Sequence, residues 1–189
     1  MLEAMEGLGG LSDKEKELAN EVARFILKVA GESDRAAVII GAARLDVGLE
    51  GLLKKVMSHH PGGQDSLFDQ DRALGSFALR IALAYRLGLI SDEFEHALQM
   101  IRKIRNDFAH SIEDARLSDP SHKSRLAELK RATQHRESWN QLRQLVLRHT
   151  NSDPLADFCA SIGLLMVVLE GAALKDNLMT VHFVAKTRF

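Results

Sequence analysis

The chain has 189 residues, 46% hydrophobic and 27% charged, with a formal net charge of −1. That length fits one domain with a real apolar core, and the balanced charge excludes a global electrostatic pull toward nucleic acid or an anionic membrane. Few prolines and aromatics favour helices, and the lone cysteine, Cys159, excludes an intramolecular disulfide and a cysteine-built zinc site.

Residues 1–11 read as a flexible N-terminal tail, acidic and without the basic start and apolar stretch of a signal peptide. Residues 12–189 read as a single helical domain. Ser12-Asp13-Lys14-Glu15 forms a capping box, Leu18, Val22, Phe25 and Val29 follow at helical spacing, and Gly31 ends the helix. Ser33 or Asp34 opens a second helix with the stripe Val38, Ala42, Leu45, Leu49, Leu52 and Val56. It stops before His59-His60-Pro61-Gly62-Gly63, a cluster of breakers. After an irregular stretch, a third helix carries Leu74, Ala78, Ile81 and Tyr85, with Gly88 as its C′ residue and Leu89 packing behind the cap.

Ser91 caps a fourth helix, whose buried face is marked by Phe94, Leu98, Ile101 and Phe108. Asp119-Pro120 and Asp153-Pro154 open two more, each a cap followed by proline at the first helical position. Trp139, Leu142 and Val146 stripe the helix between them. The last helix buries Leu155, Cys159, Ile162, Met166 and Leu169. Its apolar run from Phe158 to Leu169 falls short of the roughly 20 residues that span a bilayer, so a buried helix and no membrane contact are expected. The tail 181–189 alternates weakly and fits helix end, short strand or disorder. The expectation is an all-α, single-domain bundle of about six to eight helices in the cytoplasm. Its second, third and fourth helices form the core, and the C-terminal helix closes it.

Arg105 is the anomaly. The steps from Phe94 through Leu98 and Ile101 land on it, so an arginine stands in line with an apolar stripe. A guanidinium cannot shed its proton and must find acceptors there. Asp46 and Glu50, one turn apart on the second helix, are expected to pair with Arg105 or with Arg80. Removing an arginine so held would cost about 3 kcal/mol. The alternative to a structural clamp is chemistry. In Arg105-Asn106-Asp107-Phe108-Ala109-His110, the histidine can move a proton near neutrality, and a fixed arginine can stabilise a phosphate in a transition state. Together they would suffice for RNA cleavage through the 2′-hydroxyl without metal. Five helical steps separate the two by about 140°. They converge only if the helix ends near His110 or a second subunit supplies half the site.

The segment from Arg116 to His149 breaks the neutral balance. Lys123, Arg125, Lys130, Arg131 and Arg136 are its candidate contacts to a phosphate-bearing or protein partner. The competing reading is a solvated face neutralised by Glu15, Glu17 and Glu21 of the first helix. His59-His60, Asp46 with Glu50, and Glu93 with His96 each lack the further ligands a metal site needs, so neither a metal nor a cofactor is implied.

The run from Leu74 to Ile90 (LGSFALRIALAYRLGLI) followed by Ile101-Arg102-Lys103-Ile104-Arg105-Asn106-Asp107-Phe108-Ala109-His110 resembles the bacterial mannitol operon repressor family. Ala43-Arg44-Leu45-Asp46 and Leu49-Glu50 are similar to it as well, and the likeness covers roughly 36–110. The resemblance implies an all-helical fold and transcriptional control of sugar or polyol use. It also implies action through another regulatory protein, or through a homodimer, more than through direct DNA reading. The spacing of Arg105 and His110 further resembles the R-x4-6-H motif of the HEPN superfamily, whose paired helical subunits form a ribonuclease site. Carried over, that motif makes Arg105, Asn106 and His110 the catalytic or binding cluster, with RNA as the substrate.

Overall fold

The computed structural model describes residues 12–58, 62, 66–111 and 115–173. The predicted tails 1–11 and 181–189, and the breaker cluster apart from Gly62, lie outside them. Among the described residues the elements are seven α-helices and one 3-10 turn: α1 (Asp13–Ala30), α2 (Asp34–Val56), the turn Ser66–Phe68, α3 (Phe77–Arg86), α4 (Asp92–His110), α5 (Pro120–Thr133), α6 (Glu137–Leu147) and α7 (Asp153–Ala173).

The local signals act as the chemistry demands. Ser12 and Glu15 close the capping box reciprocally, with the Ser12 amide donating to Glu15 at 2.9 Å. Ser33, Ser76 and Ser91 cap α2, α3 and α4 through their hydroxyls. Gly88 has φ +68°, a left-handed conformation open to glycine. Its amide donates to Tyr85 O and that of Leu89 to Ala84 O, both at 2.9 Å, which is a Schellman motif. The two aspartate–proline openings differ. Asp119 occupies the cap position of α5, but its carboxylate accepts from the Arg116 amide. At α7 the cap is Ser152, whose hydroxyl accepts from Leu155 N, and Asp153 is already helical.

α7 is the central element and not a lid. It packs against α1, α2, α5 and α6, while α2, α3 and α4 pack on one another to one side, and α5 bridges α4 to α7. Leu155, Cys159, Ile162, Met166 and Leu169 are all buried, as are residues on the other faces of the same helix. α7 is long and apolar enough to cross a membrane by length and composition, and it is 72% buried inside the bundle. That placement is the reason it is apolar all round. A buried polar node fixes α5 and α6 on it. Trp139 Nε1 donates to Ser161 Oγ at 3.0 Å, and Thr133 Oγ1 lies 2.9 Å from the same hydroxyl.

Two stripe members are surface residues: Val56 at the end of α2 and Tyr85 on α3. On α3 the inward face is Arg80, Ile81 and Ala84 instead. Leu74 is buried but precedes the helix, in a loop that folds tightly on itself. A Cβ on Gly75 would stand 2.2 Å from Asp69 O and 2.5 Å from Gln70 O, so only glycine lets the chain pass there.

Candidate functional site

The buried cation of this fold is Arg80, not Arg105. Arg80 is 6% exposed. Its Nε donates to Leu74 O at 2.8 Å, Nη1 to Asp46 at 2.8 Å and Nη2 to Phe68 O at 3.0 Å. Glu50 Oε2 stands 2.9 Å from Nη2. One guanidinium thus joins α2 to α3 and pins the loop 66–76 between them, with every face of its fork satisfied. Lys54 shares Glu50 at 2.5 Å and sits over the Phe68 ring. Burial raises the Asp46 pKa above its ordinary value, against the hydrogen bond and charge of Arg80, which lower it.

The expectation that Arg105 lies in the apolar stripe is corrected by the helix itself. The core face of α4 runs Phe94, Leu98, Ile101, Ile104, Phe108. Ile104 takes the position assigned to Arg105, and one residue further is about 100° of rotation. That turn carries Arg105 to the edge of the helix, where it is exposed and donates to Asn106 Oδ1 at 3.1 Å. It forms no ion pair among the described residues, although its charge reaches Asp46 and lowers that pKa.

Arg105 and Asn106 instead line an open cavity of about 480 Å³ between α2, α3 and α4. Arg102 and Asp46 share its wall, Gln70 and Ser76 come from the loop and the start of α3, and Ile39, Ala42 and Phe77 are among its apolar walls. Arg102 Nε donates to Gln99 at 2.8 Å. Among the described residues one carboxylate, Asp46, lines this space, and its Oδ1 is already taken by Arg80.

His110 is not part of the cavity. It is the last residue of α4, exposed, and turned about 140° from Arg105. The three residues of the proposed catalytic cluster are therefore not gathered within one chain. Arg105 and Asn106 face the cavity, and His110 faces elsewhere. The histidine that is held in place is His122 on α5. It is buried, with Nδ1 2.9 Å from Arg116 O, Nε2 3.7 Å from Asp107 and its ring against Phe108. Its step of four to Leu126 on the α5 stripe was the available signal.

The basic segment is tied down by acids of α4 and α7. Arg125 pairs with Asp107 of α4. Lys130 reaches Asp157 of α7 at 2.8 Å, and Arg143 reaches the other oxygen of Asp157 at 2.5 Å and also pairs with Asp153. Lys123 and Arg131 are exposed and Arg136 is half-buried. Cys159 is fully buried, and burial pushes its thiol up to about 12, which leaves it without nucleophilic character.

Compared with known proteins, the chain matches no family model, no curated protein and no solved structure. The likeness to mannitol operon repressors therefore rests on the quoted residues alone.

Proposed function

We propose that the chain is a regulatory binding module of the mannitol operon repressor kind, controlling transcription of sugar or polyol genes in the cytoplasm by engaging a protein partner. One observation carries this reading. Ile40 and Val47 are 41% and 60% exposed on α2. They share a helix face with Ala43, which lines the cavity, and Leu79 and Leu87 add exposed apolar surface on and just after α3. Large exposed apolar side chains on one helix face beside a cavity wall support a contact surface more than a solvated one. The partner is another regulator or a second copy of this chain.

Placing charge on the apolar surface tests the reading. Ile40→Asp with Val47→Asp should leave the circular dichroism and melting temperature near those of the parent. The same variant should derepress a polyol-uptake operon in the host to the level of a deletion strain. Unchanged transcript levels in the deletion strain would end the regulatory reading.

A metal-independent HEPN-type endoribonuclease is the second reading. It draws support from Arg105 and His110 both reaching solvent near the C-terminal end of α4, with Arg105 unpaired by any acid among the described residues. It requires a second subunit to bring a histidine to the arginine. Purified protein incubated with RNA in EDTA, beside Arg105→Ala and His110→Ala, decides it. Cleavage that survives chelation and disappears in both variants supports the nuclease, and intact RNA throughout removes it.

A further inference from the structure

We propose that the cavity between α2, α3 and α4 binds a small organic anion, with its phosphate or carboxylate group held by Arg102 and Arg105. The proposal does not depend on the regulatory reading, because it concerns what the cavity holds and not what the chain controls.

The volume is the first reason. About 480 Å³ falls within the range of small-molecule sites and is far more than one inorganic ion fills. Charge is the second. Two guanidinium groups line the space against one carboxylate, and Arg80 already engages that carboxylate from below. Among the described residues, Arg102 reaches only the amide oxygen of Gln99, and Arg105 only that of Asn106. No acid among the described residues pairs directly with either cation, so an incoming anion meets donors whose charge is unspent. Planar guanidinium groups suit phosphate and carboxylate because they donate in parallel pairs.

The remaining polar groups restrict the ligand further. Asn106 accepts from Arg105 through Oδ1, which leaves its amide hydrogens for an anion oxygen. Ser76 accepts from Leu79 N and keeps its own hydroxyl proton. Asp46 uses Oδ1 for Arg80, and its Oδ2 has no hydrogen bond among the described residues. That oxygen accepts a ligand hydroxyl and repels a second negative charge. The ligand is therefore a compact molecule with one anionic head and at least one hydroxyl, resting on Ile39, Ala42 and Phe77. Polyanions fit poorly.

The rigid base of the cavity supports this assignment. Arg80 fixes Asp46 and the loop that supplies Gln70, and Gly75 sets the close turn before Ser76. A site whose walls are held before the ligand arrives loses less entropy on binding.

Titration calorimetry with the full chain tests the proposal. The probes are glycerol 3-phosphate, glycerate, inorganic phosphate and neutral glycerol. Binding of glycerol 3-phosphate or glycerate is expected, and whichever is preferred identifies phosphate or carboxylate as the head group. Glycerol should not bind, and inorganic phosphate should bind more weakly than its ester. Arg105→Gln and Arg102→Gln should each weaken binding about tenfold, the loss of one charge-assisted contact. Arg24→Gln, an exposed change on α1, should not. Three results would overturn the proposal: no heat from either organic anion at millimolar concentration, binding unaffected by both cavity variants, or equal weakening by Arg24→Gln, which would mean unspecific attraction. Arg105 is exposed and holds no structural pair, so its variant is expected to fold, and circular dichroism confirms that.

Discussion

The α5–α6 region is rich in basic residues, and three of its cations, Arg125, Lys130 and Arg143, pair with acids from α4 and α7. The α2–α4 cavity draws on a stretch with no such excess, yet two guanidinium groups are left facing open space. Local charge in the sequence and available charge in the fold are thus different quantities. What separates them is where the carboxylates land. Asp107, Asp153 and Asp157 are distant in sequence from the cations they neutralise, and helix packing brings them together. Around the cavity, the acids on α2 face Arg80 and are used before Arg102 or Arg105 can reach them.

The sharpest break of this contrast is Arg80→Met. It leaves Asp46 and Glu50 without their shared cation, and Leu74 O and Phe68 O without a donor. Breaking a buried pair by removing one partner costs about 3–5 kcal/mol, and this position belongs in that range. Chemical denaturation of the variant measures it. A loss below about 1 kcal/mol would mean that the loop 66–76 repacks without its pin.

Asp157→Ala comes next. Lys130 and Arg143 lose a common acceptor, and the α5–α6 region would become as cationic as its sequence suggests. Lys130 is 35% and Arg143 19% exposed along the side chain, so both can turn to water. The expected cost is therefore about 2 kcal/mol, below that of a fully buried pair. The variant should also gain salt-sensitive affinity for an anionic column resin relative to the parent. Unchanged retention would show that α5 and α6 were never held neutral by α7.

Arg105→Leu is expected to do little to stability, within about 0.5 kcal/mol, because the side chain is exposed and, among the described residues, bonds only to Asn106. The cost of about 3 kcal/mol that its stripe position implied belongs to Arg80. A melting temperature several degrees lower for Arg105→Leu would restore the clamp reading that the geometry removes.

The same pair of arginines marks how much was legible in advance. The fold class was legible because capping boxes, Schellman glycines and apolar periodicity are local codes, and Ser12, Ser91 and Gly88 obey them. The acids were legible too, since Asp46 and Glu50 share a helix face whatever they touch. Which arginine they hold was not legible. α4 offers both Ile104 and Arg105 one step apart, and a spacing of three or four residues cannot choose between them until neighbouring helices fix the rotation. The central place of α7 was harder still. Uniform apolarity says that a helix is buried, but it does not name its neighbours. The cavity had no sequence signal at all, since it is assembled from three helices and a loop.

The finest comparison lies within α7, between two acids. Asp157 has both oxygens occupied by cations, whereas Glu170 has one. Its Oε2 accepts from Arg44 at 2.8 Å, and its Oε1 is buried without a hydrogen bond among the described residues. Burial therefore raises the Glu170 pKa above its ordinary 4.5, the nearby Arg44 charge lowers it less, and Glu21 adds a further rise. The folded chain then retains a proton that the unfolded chain has released. Stability from this group is present below pH 4.5 and declines as pH rises through the folded value. Glu170→Gln abolishes that titration. The melting temperature of the parent minus that of the variant should fall as pH is raised from 4.5 and level off once the folded carboxyl has ionised. A difference that instead grows with pH would mean that Arg44 controls the carboxylate. Glu170 would then be as fully tied as Asp157, and the distinction between spent and unspent charge would not extend along α7.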